Sequence, residues 1–443
     1  MLKISASFSR KWLQTFKENL ISSMSAVVFF FLDFLDVVFC VFFRLVDEFL
    51  EGKRSQCYCS VKKEEEKTVI DGENELSESL YERRNVFREM GFLGNCSRKK
   101  EWRKVNENVR WSDCGCKSCV SWMSNEAELK LYVVVKEPVK AISQDFKGKK
   151  AENIVFLHGF LSSSSFWTET VFPNLSEDAK QKYRLFAVDL LGFGKSPKPN
   201  NCLYTLKDHI EMIETSVIHP FQLNSFHLVA HSMGCVVALS LAAKYPNSVK
   251  SITLIAPPYF CSRKEDASLI ALNRLAERRL WPPLLFGSSF MSWYEHLGRC
   301  VCYIICKNHR MWEGILKSLT WNRNMHFMAI DLTRHTHHSA WHTMHNVICG
   351  GAKFMDKYLE TLSIAKVKIN VTQGSRDQVV PLECSTNIKM KVPDAMVKII
   401  ANADHTSVVR GREKDLCNDL EKLWGSIKKR ECEDMHIRNE NST

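Results

Sequence analysis

Short apolar runs, each followed by glycine or a polar residue, constrain the fold of this chain more than any other feature of its sequence. Between them lie stretches of helical length, such as residues 236–244. Short apolar strands that alternate with helices are typical of βαβ units and of a parallel sheet. We therefore predict an α/β protein whose mostly parallel sheet carries helices on both faces. The predicted strands are residues 131–135, 153–157, 183–188, 226–230, 251–256, 367–371 and 395–400.

A helical insertion interrupts the strand pattern at residues 261–355, where Trp, Leu, Met and His are frequent. We expect this insertion to form a cap over the carboxyl edge of the sheet. Five histidines lie in it, and we interpret them as part of a polar, amphipathic cap helix rather than as metal ligands: His335, His337, His338, His342 and His345. The predicted division is a signal or anchor segment (1–59), a charged, cysteine-containing extension (60–127), a core in two parts (128–260 and 356–430), the cap (261–355) and a tail (431–443).

A serine stands at the point where one predicted strand passes into a helix. The pentapeptide Ala230-His-Ser232-Met-Gly234 follows the strand at 226–230 and opens the helix. A nucleophilic serine in this position occupies a strained turn, so the residues two before it and two after it must be small. Ala230 and Gly234 meet that requirement. Ser232 is therefore the predicted nucleophile, and the predicted fold is the α/β-hydrolase fold.

The serine needs a base and an acid, which in this fold follow it in the order Ser, Asp or Glu, His. Asp377 and His405 each stand in the loop after one of the last two predicted strands. The histidine would take the serine proton, and the carboxylate would hold the imidazole in the correct tautomer. Two other carboxylates compete: Asp394 precedes its strand, at the wrong end, and Asp404 is too close in sequence to His405 to reach its ring.

An oxyanion hole completes the predicted site. Its donors should be the backbone amides of Met233, directly after the nucleophile, and of Phe160, after the first parallel strand. Gly159 allows close approach to an acyl carbonyl, and His158 is expected to shape the loop. This chemistry requires no metal and no organic cofactor, and we predict none.

The N-terminus carries an apolar run at residues 26–43, which basic residues precede and which Asp33 and Asp36 interrupt. On an insertion scale the apolar residues contribute about −4 to −8 kcal/mol and the two aspartates cost about +5 to +7 kcal/mol, so the sum is near zero. Two interpretations stay open: a secretory signal or signal anchor, and an apolar helix docked on the protein. Cys57 and Cys59 follow closely and are candidate sites of a lipid anchor.

The chain has 17 cysteines, an odd number. Cys114, Cys116 and Cys119 form a C-x-C-x2-C pattern that would suit the start of a zinc site, but no second ligand pair follows at a suitable spacing. We therefore predict disulfides, to Cys96 or to the core, rather than metal. The formal net charge of +11 is spread along the chain without the basic, aromatic-interleaved stripe of a nucleic-acid binder, so no nucleic-acid partner is expected.

Glycosylation sequons provide a second indication of compartment. Asn174 and Asn95 are the candidate sites, whereas Asn370 lies in a predicted buried strand and Asn441 lies in the tail. Together with the N-terminal segment they predict a secreted protein. The sequence leaves the oligomeric state open.

Four segments, at residues 111–114, 156–161, 188–199 and 230–234, resemble the plant BODYGUARD family of cuticle-associated α/β-hydrolases, which are regarded as probable lysophospholipases. The similarity covers about residues 111–425. It implies a secreted protein that is associated with the cell wall or plasma membrane and is required for cutin and cuticle formation. Ser232, Asp377 and His405 match the triad positions of the family.

The resemblance and the predicted site together imply a serine hydrolase of carboxylic esters with a long acyl chain, acting on a lipid or acyl-ester substrate at a membrane or wall surface. Two alternatives remain: an acyltransferase or cutin-polymerising transesterase with the same triad, and a receptor-like, ligand-binding α/β-hydrolase. Related lysophospholipid acyltransferases place an aspartate five residues after the histidine. This chain has Arg410 there, which disfavours acyl transfer by that route.

Overall fold

A seven-stranded, mostly parallel sheet lies at the centre of the molecule. Only the first strand runs antiparallel to its neighbour. The strands are β1 (Val133–Lys136), β2 (Glu152–Leu157), β3 (Tyr183–Val188), β4 (Phe226–His231), β5 (Val249–Ile255), β6 (Lys368–Gly374) and β7 (Met396–Ile400). They lie in the order β1-β3-β2-β4-β5-β6-β7. The strand order reverses at β2, and ligands of open α/β sheets bind beside the carboxyl ends of strands at such a reversal.

This computed structural model describes residues 2–52, 57–60, 76–91, 110–123, 129–139, 151–261, 263–320 and 325–440. Seventeen α-helices lie within those residues. They are α1 (Leu2–Glu51), α2 (Val86–Glu89), α3 (Lys117–Met123), α4 (Ser165–Thr168), α5 (Val171–Asn174), α6 (Glu177–Lys182), α7 (Leu206–Ile213), α8 (Met233–Lys244), α9 (Ala267–Leu275), α10 (Pro283–Trp293), α11 (Glu295–Ile304), α12 (His309–Thr320), α13 (Phe327–Asp331), α14 (His337–Thr343), α15 (Met355–Ile364), α16 (Glu383–Lys391) and α17 (Glu413–Glu440).

Two apolar layers enclose the sheet. One contains α8, whose residues from Met233 to Ala242 are all buried, and it includes α15, which packs on α8. The other is built around Trp167 and Trp424, whose side chains are fully buried. Helices cover the central strands β2 to β6 on both faces, so most of their residues are buried, whereas the edge strands β1 and β7 stay partly exposed. The prediction of a doubly covered, mostly parallel sheet is confirmed.

Helix α1 lies against α11 of the cap and against α2. Of the two interpretations of the apolar run, the structure shows the docked helix. Apolar side chains of one face are buried: Phe29, Leu32, Val37, Cys40 and Phe43. The part from Glu18 to Glu51 is also long and apolar enough to cross a membrane, yet 39% of its most apolar window is buried against the protein.

Three aspartates of α1 are buried, and each is paired with an arginine. A buried carboxylate without a partner would cost several kcal/mol, so the arginines make the docking of this helix possible. The docked face therefore explains why acidic residues interrupt the apolar run. The pairs are Asp33 with Arg278, Asp36 with Arg88, and Asp47 with Arg299.

The pair of Asp47 and Arg299 has the most complete geometry. Two guanidinium nitrogens of Arg299 donate to the two carboxylate oxygens of Asp47, both at 2.7 Å. The indole of Trp111 donates to the same carboxylate at 2.6 Å. The guanidinium also lies 4.6 Å from the ring centre of Phe43 on α1. Bidentate pairing of this kind fixes the orientation of the two side chains and also neutralises their charges.

The described parts of the charged extension at residues 60–127 pack on α1 and on the cap. Leu80 is fully buried, and Arg83 donates to the carbonyl of Trp293 at 2.8 Å. Asn85 donates to the backbone carbonyl of Asp33 at 2.9 Å. The segment contains few apolar residues, and specific polar contacts to α1 and to the cap fix its position instead.

The prediction that the five cap histidines lie on a polar, amphipathic helix is wrong. His335, His337, His342 and His345 are buried and His338 is partly buried. The last four of the five in sequence order, from His337 to His345, lie in α14 and in the helical segment that continues it. Burial lowers the pKa of all four imidazoles, to about 3 for His342. At neutral pH they are neutral parts of the cap interior.

The arrangement of α1 predicts a large effect on stability when Arg299 is removed. Arg299→Met leaves Asp47 buried without its cation, and we expect it to lower the free energy of unfolding by about 3–5 kcal/mol. Urea unfolding of the full chain in mild detergent, followed by tryptophan fluorescence, measures this change.

The matched control breaks an exposed pair. Lys398 and Asp419 form a salt bridge with side chains 51% and 36% exposed, so Lys398→Met should cost no more than about 1 kcal/mol. An equal, small loss in both variants would contradict the structural role of the buried pair.

Candidate active site

The turn between β4 and α8 holds Ser232 in a strained backbone conformation. Its φ is 53° and its ψ is −122°, a region that residues other than glycine rarely occupy. A Cβ atom on Gly234 would lie only 2.6 Å from the backbone oxygen of His158, so glycine alone fits there. This is the sharp strand-to-helix turn predicted from the pentapeptide, and it holds Ser232 at the carboxyl edge of the sheet.

The structure brings Ser232, His405 and Asp377 into one hydrogen-bonded chain. The Oγ of Ser232 lies 3.0 Å from Nε2 of His405, and Nδ1 of His405 lies 2.8 Å from Oδ2 of Asp377. Asp377 follows β6 and His405 follows β7, so the three residues come from three loops at the same edge of the sheet. The side chain of Asp377 is fully buried and that of His405 is 17% exposed.

The carboxylate of Asp377 is held by donors other than the histidine. Its Oδ1 accepts the backbone amides of Val379 and Val380 at 2.8 and 2.9 Å. Its Oδ2 accepts the side-chain amide of Gln373 at 2.9 Å. These bonds fix which carboxylate oxygen faces the imidazole. Gln373, the penultimate residue of β6, is a positioning residue that the sequence analysis missed.

His158 orients the oxyanion loop through a fixed tautomer. The backbone amide of Leu190 donates to its Nε2 at 2.9 Å, so Nδ1 carries the proton and donates to the carbonyl of Gly159 at 2.7 Å. Burial lowers the pKa of His158 and keeps the ring neutral. Because a trans peptide points its C=O and N–H in opposite directions, holding the Gly159 carbonyl directs the Phe160 amide the other way.

Two backbone amides are available as oxyanion donors. Within the described part of the chain, neither the Phe160 amide nor the Met233 amide donates to a protein acceptor. Met233 is the first residue of α8, whose first amides have no partner inside the helix. A Cβ on Gly159 would lie 3.2 Å from the Cβ of Ser232, which shows how closely the loop approaches the nucleophile.

His231, inside the pentapeptide, links the turn to the histidine loop. Its Nε2 donates to the backbone oxygen of His405 at 2.9 Å, and its ring stacks on Phe166 at 4.9 Å. Burial, with the neighbouring His405, lowers the pKa of His231 to about 3. It therefore stays neutral and positions His405 without competing for the proton. This role is not visible in the sequence, because the partner lies 174 residues away.

The predicted anchor and glycan residues lie in other parts of the molecule. Cys57 and Cys59 are half-buried beside His296 of α11, with sulfur to nitrogen distances of 3.3 and 3.4 Å. Both thiols face the protein, and acylation of either one stays a prediction. Asn174 is half-buried at the end of α5 and donates to the Thr170 carbonyl, and Asn95 lies outside the described residues.

Comparison with known proteins found a matching family model and solved structures of similar fold. A family model described as alpha/beta hydrolase fold matches residues 152–297. A carboxylesterase structure from Nitrososphaera gargenis aligns with a TM-score of 0.45 and 15% identity, over 69% of this chain and 98% of that chain. The sheet, the turn at Ser232 and the family match define this protein as an α/β-hydrolase.

The chain belongs to the BODYGUARD family. It is 52% identical to the probable lysophospholipase BODYGUARD 4 of Arabidopsis thaliana, over 95% of this chain and 100% of that protein. It is 48% identical to the probable lysophospholipase BODYGUARD 5 of the same plant, over 97% and 99% of the two chains. The predicted family is confirmed, and the chain is a hydrolase of the esterase class.

The site predicts different effects for two neighbouring carboxylates. Asp377→Asn should lower the rate of ester hydrolysis by about 10⁴, because the amide stabilises the wrong tautomer of the histidine. Asp404→Asn is the control: its carboxylate accepts the amides of Thr406 and Ser407 and does not bond the His405 ring, so activity should change less than about tenfold. Hydrolysis of p-nitrophenyl butyrate measures both, and the opposite ranking would remove Asp377 from the triad.

Proposed function

We propose that this protein is a serine esterase that hydrolyses carboxylic esters with a long acyl chain, such as lysophospholipids. We further propose that it works at a membrane face of the plant cell surface and serves cuticle formation. The observation that carries the chemistry is the hydrogen-bonded chain from Ser232 through His405 to Asp377. The names of the five BODYGUARD relatives support the substrate class.

The geometry supports an acyl-enzyme mechanism. Nε2 of His405 takes the proton as Oγ of Ser232 attacks the ester carbonyl, and the buried carboxylate of Asp377 stabilises the imidazolium. The amides of Phe160 and Met233 would bind the developing oxyanion, where each such donor contributes roughly 3–4 kcal/mol. His405 then returns the proton to the leaving alcohol. Water, activated by the same histidine, releases the fatty acid and regenerates Ser232.

Hydrolysis is favoured over the alternatives. Arg410 occupies the position of the acyltransferase aspartate, and its guanidinium contacts the sulfur of Met328. The hydrogen-bonded serine, histidine and buried carboxylate argue against a protein that has lost its chemistry, and a receptor that keeps the triad stays an alternative.

The exposed face of α1 supports action at a membrane. Apolar side chains repeat along it at helical spacing and are 43–87% exposed: Val27, Phe31, Val38, Val41, Phe42, Leu45 and Phe49. Contiguous apolar surface of this kind marks an interaction site. The other face of α1 is fixed to the protein, so the helix would lie in the bilayer surface rather than cross it.

The surroundings of α1 strengthen this proposal. Trp281 of the cap is 65% exposed and lines the same groove as Phe30 of α1, so the apolar surface continues onto the cap. The formal charge of +11 favours anionic lipid. The buried pairs of Asp33 and Asp47 with cap arginines support retention of α1 in the mature protein. Retention makes α1 an anchor rather than a cleaved signal.

The substrate proposal predicts a dependence on chain length. Each methylene buried in an acyl channel gains about 0.8 kcal/mol, or roughly fourfold in kcat/KM at most. Activity on soluble p-nitrophenyl esters should therefore rise from acetate to octanoate, and lysophosphatidylcholine should be cleaved. Ser232→Ala, which should also lose fluorophosphonate labelling, gives the background rate. A preference for acetate over octanoate would refute the lipid substrate while leaving the serine mechanism intact.

The membrane proposal predicts that α1 controls vesicle binding. Phe31→Ser with Phe49→Ser should weaken co-flotation with vesicles of phosphatidylcholine and phosphatidylserine at least tenfold, because each buried Phe contributes about 1.5–3 kcal/mol. The matched control is Ile364→Ser with Met390→Ser, two exposed apolar residues away from α1. Hydrolysis of a soluble ester should be unchanged in both. Equal vesicle binding by the two double variants would exclude α1 as the contact.

A further inference from the structure

Three groups of cysteine and histidine lie outside the triad. In each group, the ligand atoms all lie within 4.8 Å of one another. The fifteen described cysteines are all free, so the predicted disulfides are absent from the described residues. The groups are Cys114, Cys116, Cys119 and His309; Cys40, Cys57, Cys59 and His296; and Cys302, Cys306 and His335.

The distances in the first group match a tetrahedral metal site. Zn–S bonds of about 2.3 Å and Zn–N bonds of about 2.0–2.1 Å at tetrahedral angles place sulfur and nitrogen about 3.6 Å apart, and two sulfurs about 3.8 Å apart. Nε2 of His309 lies 3.6 Å from the sulfur of Cys116 and 3.5 Å from that of Cys119. Ordinary side-chain packing does not require several pairs of sulfur and nitrogen atoms to lie at these distances at the same time.

The histidine of this group has the outer partner that metal ligands use. Nδ1 of His309 lies 3.1 Å from a carboxylate oxygen of Glu313, one turn further along α12. A proton on Nδ1 that is donated to Glu313 leaves the Nε2 lone pair directed at the thiols. Metal-binding histidines are oriented by this kind of carboxylate contact. In addition, the amide of Cys116 points at the sulfur of Cys114.

The second group repeats the geometry with different elements. The sulfurs of Cys40 and Cys57 lie 3.6 Å apart, and Nε2 of His296 lies 3.3 and 3.4 Å from the sulfurs of Cys57 and Cys59. The amide of Cys59 points at the sulfur of Cys57 at 3.3 Å. A disulfide requires sulfurs about 2.05 Å apart, so Cys40 and Cys57 are at metal-ligand distance rather than bonding distance.

We propose that the two four-residue groups each bind a structural zinc ion. Three soft thiolates and one imidazole in a closed tetrahedral set are the ligands that zinc prefers in structural sites. No ligand position is left open for a substrate, and neither site includes the triad. The third group offers three ligands, with sulfur to nitrogen distances of 3.7 and 3.6 Å around His335. It is a further candidate whose fourth ligand the described residues do not supply within the same radius.

The positions of the two sites indicate what the ions do. One joins α1 and the segment 57–60 to α11, and the other joins the segment 110–123 to α12. Both therefore fasten N-terminal segments to the cap. These segments have no place in the sheet, so metal bonds would add to the apolar and ionic contacts that hold them on the cap. Metal binding would also occupy the thiols of Cys57 and Cys59, which the sequence analysis had considered for acylation.

The test is the zinc content of the full chain, purified without chelators and measured by plasma mass spectrometry. We expect at least two zinc ions per chain. Cys116→Ser and Cys59→Ser should each remove one ion, whereas Cys261→Ser, at an exposed cysteine outside the groups, should remove none. Replacement of zinc by cobalt should give the absorption of tetrahedral thiolate coordination.

Conservative substitution separates metal binding from folding. His309→Cys supplies a fourth thiolate and should keep the ion, whereas His309→Ala should lose it. Less than one zinc ion per chain, with disulfides among these six cysteines in non-reducing peptide mapping, would overturn the proposal. Unchanged zinc content in both Cys116→Ser and Cys59→Ser would also overturn it. None of these readouts depends on esterase activity, so they are independent of the proposed function.

Discussion

The close approach of the turn at Ser232 to the end of β2 is the constraint on which the active site depends. Any side chain at Gly234 would meet the backbone oxygens of Leu157 and His158, at 2.7 and 2.6 Å. This contact holds the nucleophile and the oxyanion loop together without any mobile element. The strained φ at Ser232 persists because buried strands on both sides determine the path of the backbone. Preorganisation of this kind is what an oxyanion hole requires.

A second set of interactions connects this core to the rest of the chain. The loop after β2 reaches the cap through Ser163, whose hydroxyl donates to Asp331 at 2.7 Å. The cap in turn binds α1 through arginines that neutralise buried aspartates. Helix α1, the cap and the loop after β2 are thus connected through direct contacts. If α1 contacts lipid as proposed above, packed elements rather than a flexible tether join that surface to Ser232.

The parts of the fold and of the site that could be predicted from the sequence are those that a short stretch of neighbouring residues determines. Strand periodicity located the loops of Asp377 and His405, and small residues around Ser232 identified the turn. Residues whose partners are remote in sequence could not be predicted in this way. In the sequence, Asp33 only interrupts an apolar run. Its pairing with Arg278 becomes visible only in the folded chain. The C-x-C-x2-C pattern likewise lacked its fourth member, because His309 lies 190 residues beyond Cys119.

The distance in sequence between Asp47 and Arg299 has a consequence for biosynthesis. The two residues are 252 positions apart, so at ~5–20 residues per second α1 leaves the ribosome roughly 10–50 s before its partner exists. Under the membrane proposal, a bilayer surface holds the helix during that interval, because insertion is nearly neutral in free energy. A more apolar helix would be trapped in lipid. The aspartates weaken the binding of α1 to lipid, so the helix can still leave the bilayer and dock on the cap. The charges that dock the mature helix therefore also keep its binding to lipid reversible.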